Sequence, residues 1–299
     1  MTLGRASALW VVILPAALVL TGLLDGPRRA TGADPATPWS AHAPLTRAPD
    51  GRPLTLTFSS DFAAFVSDPG RDPVWRTCYG DGRDSGLDRR SLPGNGEEEV
   101  YVDPKFAAVI GAPDLDPFSL AHGALQIAAR PAPPALAAKL GGRRFISGVI
   151  SSQPSFAQRY GYFEARAKLP RGKGLWPALW LLPADMSWPP EIDIVESIGD
   201  PLVAYMSTHS KVLGDHTDVV RLASTGFHTF GLSWDARELV WYVDGVAAAR
   251  APTPPDMDKP MFFVANLAVG GRWPGAPDAS TAFPAALEIA YVRIYRFGA

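Results

Sequence analysis

The amino-acid sequence predicts an all-β fold, a β-sandwich or jelly roll, from three features. Glycine (28 residues) and proline (30 residues) together make up about a fifth of the 299-residue chain, and both weaken helix interiors. Short segments with strand-like patterns recur about every ten residues, with turn sequences between them. Helix-like segments are few, and residues 134–140 are the best of them. This combination is typical of sandwiches and jelly rolls.

The first strand candidates lie between residues 54 and 169. Residues 54–59 alternate between apolar and hydroxyl side chains, which predicts a strand with one buried face. Residues 124–130 and 147–152 are shorter candidates. In residues 160–169 apolar and polar side chains alternate, so a strand there would have one apolar face and one polar face. The polar face would carry Tyr162, Glu164, Arg166 and Lys168. Such a strand suits a sheet with one side open to solvent or to a ligand.

The later strand candidates complete one domain that runs from residue 54 to residue 299. Residues 238–243 and 246–250 flank the dipeptide Asp244-Gly245, which is a strong signal for a two-residue hairpin. Residues 261–269 and 287–295 are the last strand candidates. The sequence has no internal repeat that would indicate a repeat architecture.

The first 33 residues have the features of a targeting segment. Residues 6–24 are almost wholly apolar, with Arg5 before them and Arg28 and Arg29 after them. This pattern predicts a cleaved signal peptide and a secreted or periplasmic protein. The apolar run is also long enough for an uncleaved anchor, which would hold the domain to a membrane outside the cytoplasm. Residues 34–53 are rich in proline, alanine and threonine and are predicted to be a linker.

The charge and cysteine content exclude several classes of function. The net charge is −2 and there is no long basic tract, so nothing in the composition favours nucleic-acid binding. Cys78 is the single cysteine, which rules out a disulfide within the chain and a cysteine-based zinc cluster.

Three carboxylates lie in an apolar, strand-like segment, Glu-Ile-Asp-Ile-Val-Glu, at residues 191–196. Glu191 and Asp193 are two residues apart, so their side chains share one face of a strand. Glu196 stands at an odd spacing from Glu191, which would place it on the opposite face of a regular strand. One extra residue in a β-bulge at Ile194 and Val195 would return Glu196 to the first face.

Carboxylates that are crowded and partly buried repel one another, which raises the pKa of at least one of them. A retaining glycosidase needs that division of protons, with one carboxylate ionised as the nucleophile and another protonated as the general acid. The residues alone do not say which glutamate attacks. A charged edge strand without catalysis is the alternative interpretation.

Three tryptophans precede the carboxylates, and aromatic rings stack against the apolar faces of sugars. Trp176 lies in a loop-like setting between Gly174 and Pro177, which favours contact with a ligand. Trp180 lies inside an apolar run and is predicted to belong to the core. The position of Trp188 is compatible with either role.

The carboxylate segment and its flanks resemble glycoside hydrolase family sixteen. Residues 161–166 (Gly-Tyr-Phe-Glu-Ala-Arg) and 174–183 (Gly-Leu-Trp-Pro-Ala-Leu-Trp-Leu-Leu-Pro) precede residues 191–196 in the order that this family has. Further matching motifs are residues 95–97, 101–103, 208–209, 227–230, 241–245 and 266–274. The resemblance covers about residues 54–297. Within the family, the sequence is similar to the bacterial laminarinases and the exopolysaccharide-trimming endo-β-glycanases. Strict bacterial lichenases lack the extra residue in the carboxylate motif.

The resemblance implies a concanavalin-like jelly roll with a substrate cleft on its concave face, and retention of anomeric configuration. It implies that Glu191 is the nucleophile, that Glu196 is the general acid/base, and that Asp193 tunes both. It implies that further residues bind sugar or bound the cleft: Asn95, Glu164, Arg166, Trp176, Trp188, His209, Asn266 and Trp273. Residues 97–99 are a run of glutamates that predicts a solvated loop, although the resemblance makes Glu97 a cleft candidate.

The sequence therefore predicts an exported, monomeric, retaining endo-β-glycanase that cleaves β-1,3 or mixed β-1,3/1,4 glucan. Two alternatives stay open: a non-catalytic carbohydrate-binding jelly roll, and a transglycosylase or exopolysaccharide depolymerase that uses the same residues. The predicted partner is a polysaccharide, with no nucleic acid and with a membrane only if the N-terminal segment is uncleaved. The prediction includes no catalytic metal and no cofactor. Members of the family often hold a structural Ca²⁺, but no loop of this sequence has a calcium-binding signature.

Overall fold

The computed structural model describes residues 43–67, 72–79, 86–153 and 155–298 of the chain. The described residues form one short α-helix and sixteen strands. The helix α1 is Pro104–Val109. The strands are β1 Leu54–Ser60, β2 Glu99–Tyr101, β3 Phe118–Ala121, β4 Ala124–Pro131, β5 Phe145–Ser147, β6 Val149–Ser151, β7 Gly161–Lys168, β8 Leu175–Pro183, β9 Glu191–Glu196, β10 Val203–Ser210, β11 Gly214–Arg221, β12 His228–Trp234, β13 Glu238–Val243, β14 Val246–Pro252, β15 Met261–Val269 and β16 Ala285–Phe297.

The strands form two sheets, which confirms the predicted all-β fold. The larger sheet has ten strands in the order β14-β13-β12-β7-β16-β4-β5-β2, with β1 paired to β16 and β3 paired to β4. The smaller sheet has six strands in the order β11-β10-β9-β8-β15-β6. The predicted hairpin at Asp244-Gly245 joins β13 and β14. The carboxylate strand β9 lies inside the smaller sheet, between β8 and β10.

The two sheets pack face to face around the main hydrophobic core. Phe163, Ala165 and Ala167 enter this core from β7, and Leu179 and Leu181 enter it from β8. Burial of each large apolar side chain contributes about 1.5–3 kcal/mol relative to leaving it exposed. The alternate residues of each of these strands therefore point outward, away from the partner sheet.

Strand β8 is buried on both faces, because a second apolar cluster covers the outer face of the six-stranded sheet. Ala178, Trp180 and Leu182 of β8 pack there with Tyr79 and Tyr101. This double burial explains why the sequence of β8 is continuously apolar rather than alternating. The outer face of the six-stranded sheet also carries the carboxylates.

A buried ion pair fixes the segment that leads from residue 90 to α1. Arg90 and Asp103 are 3% and 0% exposed, and the Arg90 guanidinium lies 2.7 Å from the Asp103 carboxylate. Thr77 donates a hydrogen bond to the same carboxylate, whose other oxygen accepts the backbone N–H of Phe106 and so caps α1. The sequence-based prediction missed this helix. The predicted helix at 134–140 is only a 3-10 turn over Pro134–Leu136, followed by two glycines in the left-handed conformation at 141 and 142.

The described end of the predicted linker packs on the outer face of the ten-stranded sheet. The backbone N–H of Leu45 donates to the hydroxyl of Tyr295, and Ala48 is buried against Tyr162 and Tyr242. Residues 1–33 and the first part of the predicted linker lie outside the described residues. Within the described ranges, no helix has the length and apolar character to cross a membrane.

Candidate active site

A β-bulge in β9 brings the three carboxylates to one face of the six-stranded sheet, as the spacing predicts. Glu196 is paired with Tyr205 and Asp193 with Ser207, so three residues of β9 span the distance of two residues of β10. The side chains of Ile194 and Val195 both enter the inter-sheet core. The odd spacing is thereby absorbed, and Glu191, Asp193 and Glu196 all line the outer cleft.

The cleft is enclosed by β8, by β15 and by the segment before β2. The two strands contribute Trp176, Ala178, Trp180, Asn266 and Ala268 to its walls. The other wall residues are Tyr79, Leu92, Asn95 and Glu97. The predicted cleft residues Asn95, Trp176 and Asn266 therefore converge with the carboxylates.

Glu191 and Glu196, the two glutamates on either side of Asp193, each accept a hydrogen bond from an indole N–H. Trp188 Nε1 lies 2.8 Å from Glu191 Oε2, and Trp176 Nε1 lies 2.7 Å from Glu196 Oε1. Trp176 belongs to β8 and is buried, so the predicted loop position is wrong, and from this strand its side chain lines the cleft. These donors fix the rotamers of both glutamates and favour their ionised forms.

Burial acts against ionisation of the two glutamates. It raises the pKa of Glu191 to about 8, with the charge of Asp193 as the second cause. It also raises the pKa of Glu196 well above its usual range, again with Asp193 as the second cause. The cluster therefore retains protons at pH values where exposed carboxyls are fully ionised.

His209 supplies a positive charge at the Glu191 end of the cluster. Its Nε2 lies 3.3 Å from Asp193 Oδ2, and its Nδ1 lies 3.0 Å from Asp215 Oδ1. Burial alone would lower the pKa of His209, but the close contacts with the two aspartates, an ion pair with Asp193 and a hydrogen bond with Asp215, outweigh it and raise that pKa well above its usual value. In the sheet register His209 stands opposite Glu191, whereas the neutral Tyr205 stands opposite Glu196. The cation therefore favours an ionised Glu191 beside a protonated Glu196.

His209, predicted to bind sugar or to bound the cleft, lies at the Glu191 end of the cluster. Trp273 lies at the Glu196 end. Its ring packs edge-on against Trp176, with centroids 5.5 Å apart, and against Tyr205, with centroids 4.7 Å apart. The predicted position of Trp273 at the margin of the cleft therefore agrees with its neighbours.

Trp180 is buried in a hydrophobic cluster, as predicted, but this is the second cluster on the outer face of the six-stranded sheet, where Trp180 also lines the cleft. Its indole N–H donates to Asn266 Oδ1 at 2.8 Å, and Asn266 Nδ2 donates to the hydroxyl of Tyr101. Both polar atoms of Asn266 are thus engaged by the wall. Asn95 differs, because its amide N–H donates to Glu97 while its Oδ1 lacks a hydrogen-bond partner among the described residues. That buried oxygen therefore retains acceptor capacity at the wall of the cleft.

Glu97 and Glu99 are buried, so the predicted solvated loop is wrong for these two residues. Glu97 accepts hydrogen bonds from the backbone of Leu92, from Asn95 and from the hydroxyl of Tyr101. Glu99 accepts the backbone N–H of Val269. Burial, followed by the charge of Glu97, raises the pKa of Glu99 well above its usual range. Glu98 alone behaves as predicted, pairing with Arg144 near the surface.

Glu164 and Arg166 lie on the opposite side of the sandwich, so their predicted role in the cleft is wrong. Both belong to β7 of the ten-stranded sheet and alternate with residues that fill the inter-sheet core. Glu164 interacts with Tyr162, Tyr291 and Arg293 on the outer face of that sheet. Both sheets therefore separate this network from the carboxylate cluster. Tyr79, which sequence reasoning missed as a wall residue, lies in a segment with no strand or helix periodicity.

One group of metal-ligating residue types occurs within the described part of the chain. Donor atoms of Glu191, Asp193 and His209 lie within 4.8 Å of one another. His209 already pairs with Asp193 and is hydrogen-bonded to Asp215, and Glu191 already accepts a hydrogen bond from Trp188. We therefore assign no metal to them.

The fold and the site together have the features of a glycosidase: a two-sheet sandwich with a cleft, paired glutamates and aromatic walls. The family model described as Glycosyl hydrolases family 16 matches residues 124–293, and the chain belongs to this family.

Relatives and solved structures agree with this membership. Endo-1,3-1,4-beta-glycanase EglC of Rhizobium meliloti (strain 1021) is 41% identical over 251 residues, which cover 82% of this chain and 52% of EglC. Endo-1,3-1,4-beta-glycanase ExsH of the same strain is 40% identical over 251 residues, with the same coverage. The chain thus spans about half the length of these curated relatives. The laminarinase catalytic domain of Thermotoga maritima MSB8 aligns with a TM-score of 0.66 at 32% identity, covering 82% of this chain and 99% of that domain.

Proposed function

We propose that this protein is a retaining endo-β-glycanase that hydrolyses β-1,3 or mixed β-1,3/1,4 glucan. The observation that carries the proposal is the bulged strand β9, which presents Glu191, Asp193 and Glu196 on one face with the imidazole of His209 at the Glu191 end. The names of the relatives, which include endo-1,3-1,4-beta-glycanases and laminarinases, support the substrate class.

The proposed reaction is a double displacement. In the first step the Glu191 carboxylate attacks the anomeric carbon while Glu196 gives its proton to the departing glycosidic oxygen. The C–O bond to the leaving sugar breaks as the glycosyl-enzyme ester forms. In the second step the Glu196 carboxylate takes a proton from water, the resulting hydroxide oxygen attacks the anomeric carbon, and Glu191 departs as a carboxylate. The product keeps the configuration of the substrate.

The surrounding residues divide the two roles. His209 favours the anion at Glu191 before attack, and the charge of Asp193 favours the proton on Glu196. The indole of Trp176 favours the Glu196 anion that the second step needs as its base. Asn95 lines the cleft, and its buried Oδ1 has no hydrogen-bond partner among the described residues, which makes it a candidate acceptor for a substrate hydroxyl.

The decisive experiment for the function is Glu191→Gln. We expect this variant to lose hydrolysis of laminarin and barley glucan while keeping its fold, because an amide cannot act as the nucleophile. Glu98→Gln, which removes a nearby surface carboxylate, should retain activity. Release of reducing ends by Glu191→Gln at the wild-type rate would overturn the proposal. For the wild type, NMR of the first product should detect the β-anomer before mutarotation.

The substrate within this class is tested by a panel of laminarin, lichenan and an acidic exopolysaccharide. We expect internal cleavage of laminarin or lichenan, so that chain length falls early while few small sugars are released. Preferential cleavage of the exopolysaccharide would assign the protein to the depolymerase alternative. Longer products in the presence of added oligosaccharide acceptors would indicate transglycosylation. Binding of glucan by the wild type without new reducing ends would indicate a carbohydrate-binding module.

Two further parts of the proposal concern the setting of the enzyme. We propose that the protein is exported, because residues 1–33 have the features of a signal peptide or anchor. We also propose that it acts as a monomer. Fractionation of the producing cells and light scattering of the purified protein test these two statements.

A further inference from the structure

Asp215 contacts the catalytic cluster from a strand that otherwise stands outside the cleft. Strand β11 is at the edge of the six-stranded sheet and pairs only with β10 among the described strands. In that pairing Asp215 stands directly opposite His209, and its Oδ1 lies 3.0 Å from His209 Nδ1. The residues that line the cleft include no member of β11.

His209 is the bridge between this edge strand and the carboxylates. Its side chain is 9% exposed, and its two ring nitrogens face two different aspartates. On one side Asp193 lies at 3.3 Å, and on the other side Asp215 lies at 3.0 Å. Both nitrogens can donate only when the ring is an imidazolium, so two flanking carboxylates favour the charged form.

We propose that Asp215 is a positioning residue for the carboxylate cluster, acting through His209, whose imidazolium it holds against Asp193. This inference rests on the proposed glycanase function and adds a residue that is not among those lining the cleft. The chain of contacts runs from Asp215 to His209, from His209 to Asp193, and from Asp193 to the two glutamates.

The electrostatic consequence has a definite sign. The charged groups that act on His209 are Glu191 and Asp193 from β9 and Asp215 from β11. Removing the negative charge of Asp215 makes every remaining proton in the cluster easier to lose. An opposite charge at this distance shifts a pKa by about 1–3 units, and the half-exposed position of Asp215 puts its effect at the lower end. We therefore expect the pKa of His209 to fall by about one unit when Asp215 is neutralised.

The test uses Asp215→Asn in the full chain, with Asp218→Asn as the matched control. Asp218 lies on the same strand and also pairs with a histidine, since its Oδ2 is 3.0 Å from His216 Nε2, but that pair is at the surface. NMR titration of the imidazole Cε1–H signals gives the pKa of His209, and the signal is identified by its loss in His209→Gln. The pH profile of kcat/KM on laminarin or lichenan gives the catalytic consequence.

Asp215→Asn should lower the pKa of His209 and move the alkaline limb of the profile to lower pH, with KM within about twofold of wild type. Asp215→Glu should restore much of both effects, and Asp218→Asn should produce neither. In a His209→Gln background, Asp215→Asn should have little further effect, because the intermediary is gone.

An unchanged pKa of His209 in Asp215→Asn would overturn the inference. The same holds if Asp218→Asn gives an equal shift, or if Asp215→Asn keeps its full effect on the alkaline limb when His209 is replaced. The NMR titration needs no substrate. If the wild type does not hydrolyse glucan, the proposed function is wrong, but the NMR titration still decides whether Asp215 is coupled to His209.

Discussion

The two indole donors should each set a different limb of the pH profile. Trp188 donates to Glu191 and Trp176 donates to Glu196. In the proposed reaction Glu191 must be ionised to attack and Glu196 must hold a proton. Phenylalanine keeps an aromatic ring in each place but removes the donor. Because each N–H stabilises the ionised carboxylate, its loss raises the pKa of the glutamate it contacts.

The expected size follows from the two contacts, which are 2.8 Å and 2.7 Å long. A hydrogen bond to a charged group contributes about 1.5–3 kcal/mol, and one pKa unit corresponds to about 1.36 kcal/mol. Trp188→Phe should raise the acid limb of kcat/KM by about one unit, since Trp188 is only half-buried. Trp176→Phe should raise the alkaline limb by about one to two units, since Trp176 is buried.

The assay is release of reducing ends from laminarin across the pH range, at substrate concentrations well below KM, so that the limbs report the free enzyme. Trp75→Phe is the control, because it removes an indole donor whose partner is Ser60, away from the carboxylates. If both variants move the same limb, or if neither limb moves, the assignment of one donor to each glutamate is refuted.

Three further predictions concern stability and the face that sequence reasoning misassigned. Glu164→Gln should leave KM unchanged in steady-state kinetics, because Glu164 lies on the face of the sandwich opposite the cleft. The same variant should lower the free energy of unfolding in urea titration by about 1–3 kcal/mol, because it weakens the interactions of the buried carboxylate with its neighbours. Arg90→Ala should cost about 3–5 kcal/mol in urea titration, because it leaves the buried Asp103 without its cation, and a loss below 1 kcal/mol would contradict this. Gly231→Ala should cost about 1–3 kcal/mol by thermal unfolding, because its Cβ would overlap the Tyr162 hydroxyl. Gly226→Ala should cost less, because its Cβ would make only an ordinary contact with the Ser224 hydroxyl.

The carboxylate strand could be predicted from sequence because side-chain parity in a strand is strict. Glu191 and Glu196 cannot share a face without one extra residue, and the structure has that residue at the predicted place. The hairpin at Asp244-Gly245 follows from local turn chemistry in the same way. Both inferences needed only neighbouring residues.

The predictions that failed concern side chains whose surroundings are formed by residues far away in the chain. Polar alternation in β7 reveals that Glu164 faces outward, but a sandwich has two outward faces, and only the sheet order distinguishes them. Trp180 is buried as predicted, but it lies in a strand buried on both sides, where periodicity gives no direction. Glu97 and Glu99 look solvated in sequence, yet one partner of Glu99 is the backbone of Val269, 170 positions later.

The bulge in β9 also has a consequence for engineering and for divergence within the family. In a regular strand, two side chains on the same face can be separated only by an even number of residues, so their distance changes in large increments. The extra residue at Ile194 frees the two glutamates from that rule, since local backbone geometry there sets how far apart they lie. Deleting one residue at this point would leave the two glutamates at an even spacing, on the same face of a regular strand. The bulge therefore adjusts the separation and angle of the two carboxyl groups, and it is not the only backbone geometry that places both in one cleft.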